Sequence, residues 1–312
     1  MDGRDHGMIS KRASGTSQKL AALVLMAGTC PRWQQILPPS WILAQRKHLR
    51  ELGLYPRLRF KLYESQGFQK VILFLDRWLL ESQLVYMILR KRFFAEQVQM
   101  EIERGARQVV ILGAGIDPAG TQLATQYPHV QIWEIDRCEP VSSPLNHQAP
   151  KNLHRLTADL TNRRWHETLV KDPTWQVNAP SVFIAEGLFM YLTEEAVKDV
   201  LRSLQQLSPT QGSLFFGYLR STSTGRPHYG KYSMLVRLGL RCVGEPLRWS
   251  VNPDQLQTFL RSAGLKSTLG PDETDLHHRY LEASGTTGCF PPPSIEFMSD
   301  ARWGQSCHEE IA

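Results

Sequence analysis

The chain has 312 residues, 42% of them hydrophobic and 21% charged, with a formal net charge of +6. That composition is typical of a soluble globular protein with a sizeable core, arranged as one large capped domain or two small ones. The basic residues are dispersed without interleaved aromatics, which argues against a nucleic-acid surface, and the mild charge reads as solubility.

Residues 1–16 are polar and basic and read as a disordered tail. The apolar run 20–28 after Lys11, Arg12 and Lys19 is too short and poorly bounded for an export signal. It is expected to form an amphipathic helix capped near Ser17 and stopped by Gly28 and Pro31. Pro38 and Pro39 break the chain, and 41–52 has the periodicity of a second helix with Ser40 as its N-cap. The stretch 67–105 predicts two further helices. Asp76, Arg77 and Glu81 interrupt it, so no uncharged run approaches the ~20 residues that a bilayer core requires. Late in this stretch stands Arg90-Lys91-Arg92, which is either a solvated face or the source of one arginine turned inward to clasp a carboxylate.

The stretch from Gln108 to Asp136 organises the rest. Gln108–Leu112 is an apolar, β-branched run of the kind found in a central parallel strand. Gly113-Ala114-Gly115 turns sharply, a helix is expected to begin near Asp117-Pro118, and a second strand over 130–135 closes on Glu134 and Asp136. Open α/β folds place an acid there to hold the hydroxyls of a nucleoside ribose. A dinucleotide fold wants G-x-G-x-x-G, whereas Gly120 falls two places late. Asp117 also sets a negative charge where a pyrophosphate would lie, which disfavours an anion and suits a cationic sulfonium. These residues favour S-adenosylmethionine over NAD, while a turn that binds nothing stays open.

Strand and helix keep alternating beyond it. Strands are expected over 154–158, Ser181–Ala185 and 214–218, helices over 165–171 and 193–207 with Thr193 as N-cap. A further helix over 251–264 leads to an edge strand over 265–269 and a last strand over 294–298. Strands separated by helices imply a parallel sheet covered on both faces, with ligands at the carboxyl ends of the strands. That rule gathers Gly113, Asp136, Asp159 and Glu186 around one crevice. Each acid alone could be a cap or a loop charge, but three at successive strand ends would repel unless a cationic or donor-rich ligand sat among them. Tyr191 reads as a packing residue more readily than a catalytic one. Cys30, Cys138, Cys242, Cys289 and Cys307 are odd in number and widely spaced, which favours reduced thiols, a cytoplasmic location and no metal site.

The motifs Gln108 to Asp117, Glu134-Ile135-Asp136, Asp159-Leu160 with Trp165, Ala185-Glu186-Gly187 with Tyr191-Leu192, and Gly244 to Trp249 occur in the order found in one family. The chain resembles the leucine carboxyl methyltransferases, especially their bacterial small-molecule O-methyltransferase branch associated with polyketide biosynthesis. The resemblance implies a class I, Rossmann-like α/β fold, with a seven-stranded, mostly parallel sheet. A helical lid would span 17–105, and the core 106–312, with a substrate-cover insert near 221–243. It also implies that Gly113 and Gly115 approach the methionine and ribose of S-adenosylmethionine, that Asp136 binds the ribose, and that Asp159 and Leu160 hold the adenine. Glu186 would lie near the methionyl amino group and Arg90 on its carboxylate, with Arg92 as the alternative and Lys19 as a lid residue reaching the cofactor. The implied reaction is O-methylation of a small carboxylate or acidic hydroxyl. No catalytic residue is assigned beyond Tyr191, and no nucleic-acid or membrane partner is expected. Two departures stand out: Pro118-Ala119-Gly120 replaces the family's threonine-arginine run after Asp117, and Cys138 takes the place of a proline.

Overall fold

The computed structural model describes residues 15–304 apart from 32, 34–35, 55–57, 80–82, 138–148, 223–224, 229–237, 239–240, 243, 269–276 and 283–294. The expected tail, most of the 221–243 insert, Cys138, Cys289, Cys307 and the side chain of Lys19 therefore lie outside the described residues. Cys30 and Cys242 are free thiols.

Five helices precede the sheet: α1 (Gly15–Thr29), α2 (Pro39–Glu51), α3 (Leu58–Tyr63), α4 (Gln66–Leu79) and α5 (Gln83–Glu103). The sheet region then runs β1 (Gln108–Leu112), α6 (Ala119–Gln126), β2 (Gln131–Asp136), β3 (Leu153–Thr157), α7 (His166–Val170) and β4 (Ser181–Ala185). It finishes with α8 (Glu194–Leu207), β5 (Gln211–Leu219), α9 (Pro253–Ser262) and β6 (Glu296–Gly304). Strand order is β3-β2-β1-β4-β5-β6, with β1 to β5 parallel and β6 antiparallel to β5.

Alternation of side chains along each strand feeds two cores. Val109 and Ile111 of β1 join Ile132, Val182 and Ile184 against α1 and α5, where Leu89, Phe93 and Val98 are buried. Val110 and Leu112 face the other way, with Trp133, Phe183 and Phe216, onto α8 and α9. All five residues of β1 and of β4 are buried, as a parallel strand covered on both faces requires. Thr193 caps α8 as expected, its hydroxyl accepting from the Ala196 amide at 3.2 Å.

Several expectations need correction. The described residues form six strands, five of them parallel, rather than seven. The strand expected over 265–269 is reduced to one antiparallel bridge between Lys266 and Arg302. Beyond it, hydroxyls take over from backbone groups: Ser267 Oγ meets Ser299 Oγ at 3.0 Å and Thr268 Oγ1 donates to Asp300 Oδ2 at 2.5 Å. The last strand is longer than the expected 294–298. It pairs with β5 in nine register positions. Helix α2 starts two residues earlier than expected: Pro38 occupies the N-cap position without a side-chain bond, and Pro39, whose missing N–H costs nothing at a helix start, opens it in place of a Ser40 cap. Helix α1 is not amphipathic. Ala21 to Ala27 are all buried, since the helix packs against α2, α3 and α5 and borders the cavity instead of lying on the surface.

Candidate active site

The strand order reverses between β1 and β4, so the loops after these strands diverge and leave a crevice. Gly113 and Gly115 follow β1 with φ of 68° and 60°, a backbone region that residues with a Cβ rarely adopt. The turn is closed by Asp136 at the end of β2, whose Oδ2 accepts from the Gly115 amide at 2.9 Å. Asp159 follows β3 with its Oδ1 taken by the Thr161 amide and hydroxyl at 2.9 and 2.7 Å. Leu160 beside it is buried. These residues, together with Glu186, Arg90 and Tyr191, line one cavity of about 1170 Å³.

Arg90 does turn inward. It is 3% exposed, and its guanidinium pairs with Glu296 and donates to Glu186 Oε1 from Nη2 at 3.2 Å and from Nε at 3.3 Å. Arg92 points elsewhere and pairs with Glu96, one turn along α5, at 2.6 Å. Lys91 is as buried as Arg90; its ammonium pairs with Asp117 and lies 3.6 Å from Glu186 Oε2. Gln83 Nε2 donates to Glu296 Oε2 at 2.9 Å, completing the group. Burial opposes the charge of both cations, yet the carboxylates prevail: Glu296 and Glu186 hold Arg90, and Asp117 and Glu186 hold Lys91, above their ordinary pKa values. Within this group three carboxylates face two cations. A further cationic or hydrogen-bond-donating group would be welcome there.

Asp117 also decides what the first turn of α6 can hold. Its Oδ1 accepts from the Ala119 amide at 3.0 Å, occupying a helix N-terminal donor that a pyrophosphate would need. Gly120 has a packing role. A Cβ there would stand 2.2 Å from Glu134 Oε1, so the glycine admits a carboxylate that is itself paired with Arg155 Nε at 2.8 Å. Burial raises the Glu134 pKa against the pull of Arg155. Glu134 is thus a structural acid, and Asp136 is the one set at the turn.

The N-terminal helices close over this turn. Gln45 Nε2 on α2 donates to the Ile116 carbonyl and Gln122 Nε2 to the Ser40 carbonyl, each at 3.3 Å. One turn beyond Gln45, His48 reaches the cavity wall. Burial lowers its pKa, with Asp117 pulling the other way. Tyr191 sits in a 3₁₀ turn, Phe189–Tyr191, packed against the buried Met190, Leu219 and Ile295.

Lys91, Asp117, Glu296 and His48 were not singled out as site residues by the sequence. The sequence marks Asp117 as a charge that disfavours a pyrophosphate and suits a sulfonium, but does not reveal its pairing with Lys91. Lys91 adjoins Arg90, and neighbours on a helix point about 100° apart, so only the burial of both reveals the pair. Glu296 has no motif around it.

The family model for leucine carboxyl methyltransferase matches residues 69–205. A protein of Mycolicibacterium gilvum (strain PYR-GCK), provisionally named an S-adenosyl-L-methionine-dependent methyltransferase, is 30% identical over 224 residues, covering 64% of this chain and 72% of its own. One from Parafrankia sp. (strain EAN1pec) with the same provisional name is 30% identical over 144 residues, or 42% of this chain and 43% of that protein. The matched region thus spans less than half the length of some of these curated relatives. A crystal structure of a provisionally named methyltransferase from Thermobifida fusca overlays with a TM-score of 0.52 at 14% identity, covering 83% of this chain and 94% of that one, a likeness of fold. The M. gilvum match runs through most of that relative, and the family model spans β1 and β4, the strands that flank the switch point. This protein belongs to the leucine carboxyl methyltransferase family.

Proposed function

We propose that the protein binds S-adenosylmethionine in this cavity and transfers its methyl group to an oxygen of a small molecule, a carboxylate or an acidic hydroxyl. The observation that carries the reading is the charge imbalance at the inner end of the cavity, where three carboxylates meet two cations beside a glycine turn that already holds Asp136. An α-amino group and a sulfonium both answer that excess of negative charge. A dinucleotide pyrophosphate would meet Asp117 instead.

The residues fit such a cofactor. Gly113 and Gly115 offer backbone without side chains, Asp136 takes the ribose hydroxyls, and Asp159 keeps Oδ2 without a hydrogen bond among the described residues, ready for the adenine amine. Leu160 supplies an apolar wall to the ring. Glu186 receives the amino group and Arg90 a nitrogen's share of the carboxylate. Bound there, the cofactor supplies an electrophilic methyl group on a sulfonium. The protein then has to hold an acceptor oxygen in line behind that carbon and keep water out, which is catalysis by orientation. Leu188, Met190 and Tyr191 line the cavity and serve that exclusion. A carboxylate acceptor needs no base. For a hydroxyl acceptor, His48 is placed on the cavity wall with its neutral, proton-accepting form favoured.

Calorimetric titration with S-adenosylmethionine, S-adenosylhomocysteine and NAD tests the first half of the proposal. Binding of both adenosyl ligands, none of NAD, and at least about a tenfold loss in Asp136→Ala is expected, since a charged hydrogen bond is worth about 1.5–3 kcal/mol. Binding of NAD alone would overturn it. A panel of carboxylic acids, phenols, amines and carbon acids, read by mass, tests the second half; methylation confined to amines or carbons would sink the oxygen assignment.

A further inference from the structure

We propose that the outer face of α3 and α4 docks on the surface of an anionic lipid bilayer. Helix α4 has two unlike sides. Its inner side is fully engaged: Gln69 Nε2 donates to Thr29 Oγ1 at 2.7 Å and to the Tyr63 carbonyl at 3.0 Å, Ile72 and Leu73 pack on the core, and Asp76 accepts from the Leu84 amide at 3.1 Å. Its outer side carries Val71, Phe74, Leu75 and Trp78, spaced i, i+3, i+4 and i+7, and these are 55%, 69%, 39% and 65% exposed. Leu62 on the adjoining α3 adds a further 45% exposed side chain. Large apolar residues scattered singly need no explanation, but an unbroken stripe of them along one helix marks a binding face.

The charges around the stripe select the occupant. Lys61, Lys70 and Arg77 are exposed and form no ion pair among the described residues. The acids of these two helices and their junction are withdrawn: Glu64 is paired with Arg46 at 2.6 Å and Asp76 is buried. Among the described residues of α3, α4 and their junction, the exposed charges are therefore all positive. A second copy of the chain apposed on the same stripe would bring these cations against their own kind. A bilayer with anionic headgroups satisfies both features at once, because aromatic and aliphatic side chains enter the boundary of headgroup and acyl chain while the cations meet phosphate and carboxylate above it. No helix among the described residues is long and apolar enough to cross a membrane, and a surface contact needs none.

Flotation of the full chain with vesicles of phosphatidylcholine, and with vesicles containing about 30% phosphatidylserine, tests the assignment. Partition onto the anionic vesicles at least about tenfold above the neutral ones is expected, falling as salt is raised. The exposed pair Phe74→Ser with Trp78→Ser, and separately the pair Lys70→Glu with Arg77→Glu, should each cut that partition by about tenfold or more. Circular dichroism on both double variants should match the parent chain. Failure of the parent chain to float, or equal flotation of the parent and both folded variants, would overturn the proposal. So would a dimer in sedimentation equilibrium that the serine variants dissociate, which would assign the stripe to a second copy.

Discussion

Asp76 offers a sharp test of how α4 and α5 are joined. Its carboxyl is 1% exposed, and Oδ1 accepts from the Leu84 amide near the start of α5, while Oδ2 has no partner among the described residues. Burial lifts its pKa from 3.8 to about 7, with the Leu84 and Val85 amides pulling it down. In the folded protein the group keeps its proton until neutral pH, whereas the unfolded chain gives it up near pH 4. Folding stability attributable to this group is therefore fully present below pH 4 and is lost as pH rises toward 7. The full lift corresponds to about 4 kcal/mol above pH 7, as an upper bound. Asp76→Asn keeps an acceptor for the α5 amides and removes the ionisation. Guanidinium unfolding at pH 5 and pH 8 should show the variant more stable than the parent chain at pH 8 by about 2–4 kcal/mol, and far less so at pH 5. A variant weaker than the parent at pH 8, with the same dependence on pH, would refute the reasoning. It would mean that the ionised carboxylate is a stabilising cap at the N-terminus of α5.

Other consequences follow from the site. Arg90→Met leaves the buried Glu296 without its cation and takes from the partly exposed Glu186 one of its two, and should lower stability by about 3–5 kcal/mol; thermal unfolding measures it, and Arg90→Met with Glu296→Gln should recover part of the loss. Gly120→Ala pushes a methyl into Glu134 and should cost about 1–3 kcal/mol in denaturant unfolding. If Gly120 instead served the cofactor, the substitution would weaken ligand binding and leave stability unchanged. Asp159→Asn retains the acceptor for Thr161 but turns one oxygen into a donor, and calorimetry should show weaker adenosyl-ligand binding by about tenfold with little change in melting temperature.

The parallel sheet was legible because its strands are short apolar runs bounded by glycine, proline and acids. Ser181–Ala185 and Gln108–Leu112 match the observed bounds to the residue. The glycine turn and the three strand-end acids were legible from the order of short motifs along the chain, whereas Arg90 was singled out from its basic cluster only by the family resemblance; the fold brings all of them to one cavity. The rest depends on tertiary context. Burial of α1 on nearly every side is decided by α2, α3 and α5, which its own sequence does not contain. The antiparallel β6 carries Glu296, Ser299, Asp300 and Arg302 in place of an apolar run, so its length rests on pairing with β5. Among the described residues the strand expected over 265–269 is a single bridge at Lys266, beyond which Ser267 and Thr268 bond through their hydroxyls to Ser299 and Asp300, a pairing that hydrophobic pattern does not register.

The bond between Arg90 and Glu296 joins residues 206 positions apart, from the helix before the first strand to the strand that ends the sheet. As the chain leaves the ribosome, Arg90, the glycine turn, Asp136 and Asp159 are all made long before Glu296 exists. Until β6 has inserted beside β5, the guanidinium lacks Glu296, and the inner end of the cavity has a different balance of charge. The charge balance at the inner end of the cavity is therefore complete only with β6 in place beside β5, so the strand that closes the sheet also sets the electrostatics of the pocket.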